Sequence, residues 1–263
     1  MTSSISRLPR LLRALQTVGL AAVRAVTAPA WTRDFAAYIY LYRPTPYEPH
    51  IKAVALVDLL PGIESESVTL RKCFPQHGNM TAEEICAVCL LVRWARPKII
   101  FEFGTFNGNT TLQIAINASK DCRIFTLNLP PEHGDTQLVS SAQDRMVHTR
   151  LVGSGQAFHE EPERIKIHEL FGDSANFDFT PYAAQCELVL VDAGHEYDYV
   201  KSDTSNALRL LAPGGGVILW HDFPNAPGVC AWLEEFGRGQ TVYHIRGTRL
   251  AFTIIGSLRQ FRK

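Results

Sequence analysis

The stretch at residues 99–111, Ile-Ile-Phe-Glu-Phe-Gly-Thr-Phe-Asn-Gly-Asn-Thr-Thr, limits the folds open to this chain more than any other. Ile99, Ile100, Phe101 and Phe103 form a β-rich apolar run, the pattern of a central parallel strand covered on both faces. Gly104 and Gly108 punctuate a turn, and Thr110, Thr111, Leu112 and Ile114 open a helical period. A strand, turn and helix joined in this way aim backbone N–H groups and a helix dipole beyond the strand end. In an open α/β sheet that place is the ligand crevice. Two ligand classes drop out. A dinucleotide turn needs glycine at the second position of G-x-G-x-x-G so that a pyrophosphate can approach the backbone, and Phe106 stands there. A Walker loop needs lysine after its last glycine, whereas Gly108 is followed by Asn109 and Thr110.

The flanking chain alternates. Thr81-x-x-Glu84 is a capping box that predicts a helix to about Arg96, ended by Pro97. Strands are expected at 99–103, 123–127, 165–171, 187–192 and 217–220, with helices at about 109–118, 137–147, 197–211 and 227–237. Two last strands, 241–246 and 249–255, are joined by Arg246-Gly-Thr248. This order predicts an α/β fold with a Rossmann-like, doubly wound, mostly parallel sheet of seven strands. Residues 151–164, rich in Gly, Glu and Pro, read as a loop.

At 263 residues and 46% apolar, the chain can hold one large domain with an appendage, divided into 1–77 and 78–263. Balanced charge, 26 basic and 26 acidic side chains, argues against a nucleic-acid partner. Six scattered cysteines fit a reducing, cytoplasmic setting, and Cys86-x-x-Cys89 lies in an apolar helical run, where packing explains it. Residues 1–33 carry five arginines before the first acid, Asp34, and Leu8, Leu11, Leu12, Leu15, Val18 and Ala22 recur at helical spacing. Such an arm packs on the domain or on a second subunit, making a homo-oligomer, or lies on a membrane surface. A cleaved signal fits less well, because Gln16 and Thr17 interrupt its apolar centre. Residues 34–78, with Tyr38, Tyr40, Tyr42 and Tyr47 among prolines, read as an irregular connection.

Each of the first five expected strands ends in polar chemistry. In turn these are Glu102 and Gly104, Asn128, Asp173-Ser174, Asp192-Ala-Gly-His195, and His221-Asp222. Singly, Asp173 could cap a turn, His195 could lie on a helix surface and Asp222 could be solvated; together they make a site. If the fourth and fifth strands are neighbours, their ends lie ~5 Å apart. Asp192 then faces Asp222 or His221, and two such carboxylates repel unless a proton or cation joins them. A divalent metal would do so. His195 reaches the same pocket, and a helix N-terminus beside it favours the neutral imidazole that a general base needs.

The pieces Glu102-x-Gly104-x-x-x-Gly108-x-Thr110, Leu170-Phe-Gly-Asp-Ser174, Leu190-Val-Asp-Ala-Gly-His195 and the run from Leu211 to Asp222 resemble, in order and spacing, the class I S-adenosylmethionine (SAM) methyltransferases. The D-x-x-H and H-D pieces look like the metal-dependent small-molecule O-methyltransferases, especially the branch acting on sugars and other natural products. The likeness covers about residues 78–256. It implies that the last strand inserts antiparallel. Gly104, Thr105, Phe106, Gly108 and Thr110, with Glu102 and Asp192, would hold the methionine end of SAM. Asn128 would face the ribose, and Asp173 and Ser174 the adenine. Asp192 and Asp222, with His221, would bind Mg²⁺, and His195 would take a proton from a small hydroxylated acceptor. One departure stands out. The family usually places Asp or Glu where Asn128 stands, and an amide lacks the charge that strengthens bonds to ribose hydroxyls. The rival expectation is therefore a non-catalytic relative, a binding or scaffold protein with weakened SAM affinity.

Overall fold

In the buried run that opens the domain, side chains point alternately to opposite faces of the sheet. Ile100 packs with Ile85, Val88, Leu91 and Leu112 on one face, while Phe101 and Phe103 pack with Val200, Leu210 and Leu233 on the other. A strand covered on both sides must be apolar at nearly every position, which is why this run stands out in the sequence. The computed structural model describes residues 50–73, 78–130 and 153–256. The arm at 1–33, the tyrosine-rich segment up to residue 49 and the helix expected at 137–147 lie outside the described residues.

The strands are β1 (Lys52–Val54), β2 (Ile99–Phe103), β3 (Arg123–Asn128), β4 (Ile167–Phe171), β5 (Leu188–Val191), β6 (Gly215–Trp220), β7 (Tyr243–Ile245) and β8 (Ala251–Gly256). The helices are α1 (Leu56–Leu59), α2 (Ala82–Ala95), α3 (Asn109–Asn117), α4 (Tyr197–Leu210) and α5 (Pro227–Phe236). One sheet holds all eight strands in the order β1-β7-β8-β6-β5-β2-β3-β4. β8 runs antiparallel between β6 and β7, and the remaining pairings are parallel. The sheet thus has the expected seven strands and one more. The addition, β1, is three residues long with only Val54 buried, too short to show a period of its own. The third of the expected strands begins two residues late, because Pro162–Lys166 form a 3-10 turn with proline in its first turn.

Helix α2 begins at the expected capping box. Thr81 Oγ1 accepts the Glu84 N–H at 3.2 Å, and Glu84 Oε2 accepts the Thr81 N–H at 2.8 Å. It ends on Arg96 in the left-handed region, immediately before Pro97. Two of the buried amides of helix α3 lie one turn apart, Gln113 and Asn117. Each pairs reciprocally with a peptide group of an extended segment: Asn117 with the N–H and C=O of Thr69 (both 2.8 Å), and Gln113 with those of Arg71 (3.1 and 2.6 Å). The two side chains satisfy backbone groups as a neighbouring strand would. Lys166 closes the far end of α3 by donating to the Ala115 and Ala118 carbonyls at 2.8 and 3.0 Å, where cations are favoured. Among the described residues no helix is long and apolar enough to cross a membrane.

Replacing Asn117 with alanine strands both peptide groups of Thr69, so Asn117→Ala should lower stability by about 1–3 kcal/mol. Urea denaturation followed by circular dichroism measures it.

Candidate active site

The glycine turn is fixed by how closely two strand ends approach. Gly104 sits at φ +93°, and a Cβ there would lie 2.0 Å from the Asp192 carbonyl oxygen. Only glycine lets β2 and β5 end so near one another. Gly108, at φ +81°, opens α3, and its Cβ would meet the Phe158 ring at 2.6 Å. Thr110 lies half-buried in the first turn of that helix. Glu102 works from beneath. Its carboxylate is 1% exposed and accepts from the Thr111 and Thr126 hydroxyls at 2.5 and 2.6 Å. The Thr126 oxygen is also 2.7 Å from the Thr105 hydroxyl. Burial outweighs these bonds and pushes the Glu102 pKa up to about 7.

A second glycine-bearing segment lies on the turn. Gly155 N–H donates to the Phe106 carbonyl at 3.1 Å, and Ala157 N–H to the Asn107 carbonyl at 2.9 Å. Asn128 joins the two: its amide nitrogen donates to Ser154 Oγ at 3.2 Å, and its oxygen lies 3.4 Å from the Phe106 nitrogen. At the end of β4, Asp173 caps a turn by accepting the Ala175 N–H at 3.0 Å, and it also takes the Tyr199 hydroxyl at 3.0 and 3.1 Å. Ser174 beside it is buried. Behind them, Asp203 on α4 is fully buried, and neither of its oxygens has a partner in hydrogen-bond geometry among the described residues. Burial pushes its pKa up to about 7; the neighbouring Ser174 hydroxyl offsets this only in part.

The neighbouring ends of β5 and β6 bring Asp192, His221 and Asp222 together, with one ligand atom of each within 4.8 Å of the others. His221 Nδ1 lies 3.0 Å from Asp192 Oδ1 and 3.3 Å from Asp222 Oδ2, and its Nε2 lies 3.4 Å from Glu84 Oε2. Burial alone would lower the His221 pKa, but Asp192 and Asp222 overcome it and hold the imidazole well above its usual value. Burial likewise opposes charge on Asp222, and His221 and His195 hold that carboxyl well below the usual range. His195 precedes α4, whose N-cap is Glu196, yet the helix end is not its nearest influence: Nε2 lies 2.8 Å from Asp222 Oδ2.

Two participants escape the sequence reading. Arg249 donates from Nη1 to Asp222 Oδ1 at 2.7 Å, and from Nε and Nη2 to the two Glu84 oxygens at 3.0 Å each. Glu84 was legible as a helix cap, and it is also the arginine's partner. Arg249 follows the 246–248 turn and carries no motif, so only an antiparallel β8 could have placed it here.

Residues 101–223 match the family model described as a methyltransferase domain. Over this segment the chain is similar to that family. The segment spans the glycine turn, Asn128, Asp173, Ser174 and the whole Asp192–His195–His221–Asp222 cluster, in keeping with the class I resemblance of those motifs. Among solved structures, a SAH-bound methyltransferase from Podospora anserina aligns at 18% identity over 86% of this chain and 96% of its own, with a TM-score of 0.49. The O-methyltransferase TomG from Streptomyces achromogenes, in complex with SAM, aligns at 18% over 68% and 82%, with a TM-score of 0.46. An O-methyltransferase from Bacillus cereus, in complex with SAH, aligns at 16% over 68% and 84%, also with a TM-score of 0.46. No curated protein sequence gives a significant match.

Asp203 gives the fold a testable pH dependence. With a folded pKa near 7 against an ordinary 3.8, the folded form holds a proton that the unfolded form has lost between those values. That contribution to stability is present below pH 4, falls as pH rises toward 7, and levels off above. Asp203→Asn removes the effect. Its melting temperature relative to the parent should therefore climb from pH 4 to pH 8, at about 1.4 kcal/mol per pH unit inside the window. A flat difference across that range would show Asp203 to be ionised in the fold.

Proposed function

We propose that this chain is a SAM-dependent O-methyltransferase that moves a methyl group to a hydroxyl of a small acceptor, with His195 as general base beside a Mg²⁺ site. The observation that carries the reading is the grouping of Asp192, His221 and Asp222 next to His195, at strand ends that adjoin the glycine turn.

The donor set suits a divalent cation. Asp192 Oδ1, His221 Nδ1 and Asp222 Oδ2 face one another, while Asp222 Oδ1 is given to Arg249. Glu84 lies behind His221 Nε2, the carboxylate–histidine backing that orients metal-binding imidazoles. When bound, the cation would supply the Lewis acidity that makes a hydroxyl easier to deprotonate, and SAM the methyl group. For SAM, the turn from Gly104 through Thr105 and Phe106 to Gly108, with Thr110, would lie along the methionine end, held from below by Glu102. Asp192 would meet the ammonium group, Asn128 the ribose, and Asp173 and Ser174 the adenine. His195 would accept the acceptor's proton, and the fixed turn would hold methyl and oxygen in line, where proximity supplies much of the rate.

Asn128 favours a second reading, a methyltransferase-fold binding protein. Its amide is already engaged with Ser154 and lies against Phe106, and it brings no charge to a ribose.

Titration calorimetry separates the two. SAM should release heat at micromolar to millimolar concentration. Mg²⁺ or Mn²⁺ should bind to protein stripped with EDTA, and not to Asp192→Asn. Absence of heat at millimolar SAM would overturn the enzyme reading. With an acceptor found by screening hydroxylated small molecules, His195→Ala should lose about 10²–10⁴ in rate, the usual worth of a general base. Transfer at the parental rate would remove that role from His195.

A further inference from the structure

A carboxylate at a strand end can accept from two ligand hydroxyls at once, whereas an amide has one accepting oxygen and an NH₂ group that must donate elsewhere. In this chain the donation is accounted for: Asn128 Nδ2 gives its hydrogen to Ser154 Oγ at 3.2 Å. The Asn128 oxygen faces the Phe106 N–H from 3.4 Å, long for a bond of this kind, so most of its accepting capacity is unspent. Ser154 is fixed in place by its surroundings. It is 8% exposed and stands between Gly153 and Gly155, at φ +135° and +67°, so the chain bends on both sides of it. Its side chain is bonded to the end of β3, and its neighbour Gly155 to the glycine turn through the Phe106 carbonyl. A Cβ at Gly155 would meet the Phe158 ring and lie 2.8 Å from Glu169 Oε1, so nothing larger than glycine lets the segment settle there. A serine hydroxyl has one donor and two acceptor positions, and Asn128 fills one acceptor. Among the described residues it makes no other bond.

We propose that Ser154 is a cofactor-binding residue that determines specificity for the ribose: Ser154 Oγ and Asn128 Oδ1 together read the two ribose hydroxyls, in place of a single carboxylate. The role rests on the crevice being a SAM site, as proposed above, and extends that reading to the sugar. One ribose hydroxyl donates to Asn128 Oδ1. The other meets Ser154, which donates to it or accepts from it. A carboxylate would require both ligand hydroxyls to donate and would add a negative charge. The Asn128–Ser154 pair is neutral, and each member takes one hydroxyl. The ligand class is a nucleoside with both ribose hydroxyls free. Asn128 by itself would leave one of them unmet, and a buried ligand hydroxyl without a partner costs affinity.

Calorimetry on the full-length protein tests this with S-adenosylhomocysteine (SAH) and its 2′-deoxy and 3′-deoxy forms. For the parent, loss of either hydroxyl should weaken binding about threefold to tenfold, the net worth of one neutral hydrogen bond. Ser154→Ala, shown to be folded by melting, should weaken SAH by a similar factor. It should then be indifferent to the loss of one hydroxyl and remain sensitive to the loss of the other. Asn128→Ala should show the opposite pattern. Should the alanine variant of Ser154 fail to fold, Ser154→Cys keeps nearly the same shape, weakens the hydrogen bond and serves in the same comparison. Parental SAH affinity in folded Ser154→Ala overturns the Ser154 role. So does a weakened Ser154→Ala that stays sensitive to both hydroxyls. If Ser154→Ala and Asn128→Ala become indifferent to the same hydroxyl, Ser154 acts only by propping Asn128, and the role is again overturned. A parent that gives no heat with SAM or SAH removes the methyltransferase reading and the ribose subsite together. A parent that binds SAH and is matched by Ser154→Ala removes the subsite alone.

Discussion

Three carboxylates, those of Glu84, Asp192 and Asp222, converge at the ends of β5 and β6, and the site exists because their charge is met there. Two of the carboxylates would repel strongly in so buried a place. His221 stands among all three, with one ring nitrogen toward Asp192 and Asp222 and the other toward Glu84. Arg249 bridges the outer pair. The Glu84 oxygen Oε2, which faces both cations, also closes the first turn of α2. Helix start, strand ends and the final hairpin are therefore locked through one buried network, and breaking any single partner leaves a charge stranded in the interior.

The glycine turn adds a constraint that involves no side chain at all. Because Gly104 lies against the Asp192 carbonyl, the backbone of β2 and the backbone that carries Asp192 are fixed relative to one another. Whatever sits on the turn is held in register with the carboxylate cluster. Asn128, Ser154 and the 153–158 segment bind the turn from the other side. Beneath the turn, Glu102 is held in place by the hydroxyls of Thr111 and Thr126.

Much of this was legible beforehand because the informative residues sit in patterned elements. Continuous apolar runs marked β2, β5 and β6, the capping box located α2, and strand adjacency alone brought Asp192 beside His221 and Asp222. The orientation of Glu102 could also have been reasoned out: strand alternation puts it with Ile100, on the face that α3 covers. Other features carry no such signal. β1 is too short for a period, and the Thr69–Arg71 clamp depends on amides of α3 far along the chain. Arg249 shows what pattern reading misses. Its importance comes from which way β8 runs, and that was implied by resemblance, not by the local sequence.

The reversal of β8 has a consequence in time as well as in space. Ribosomes deliver the chain from its N-terminus, and domains generally fold as units once enough of them has emerged. Glu84, Asp192, His221 and Asp222 all precede the stretch that supplies Arg249, and β8 is the last strand among the described residues. A nascent chain that has made the acidic cluster still lacks the arginine that bridges it. Insertion of β8 between β6 and β7 closes the sheet and delivers that arginine in a single step. A chain cut short before residue 249 therefore has the site's acids and His221 but lacks the arginine that joins Glu84 to Asp222.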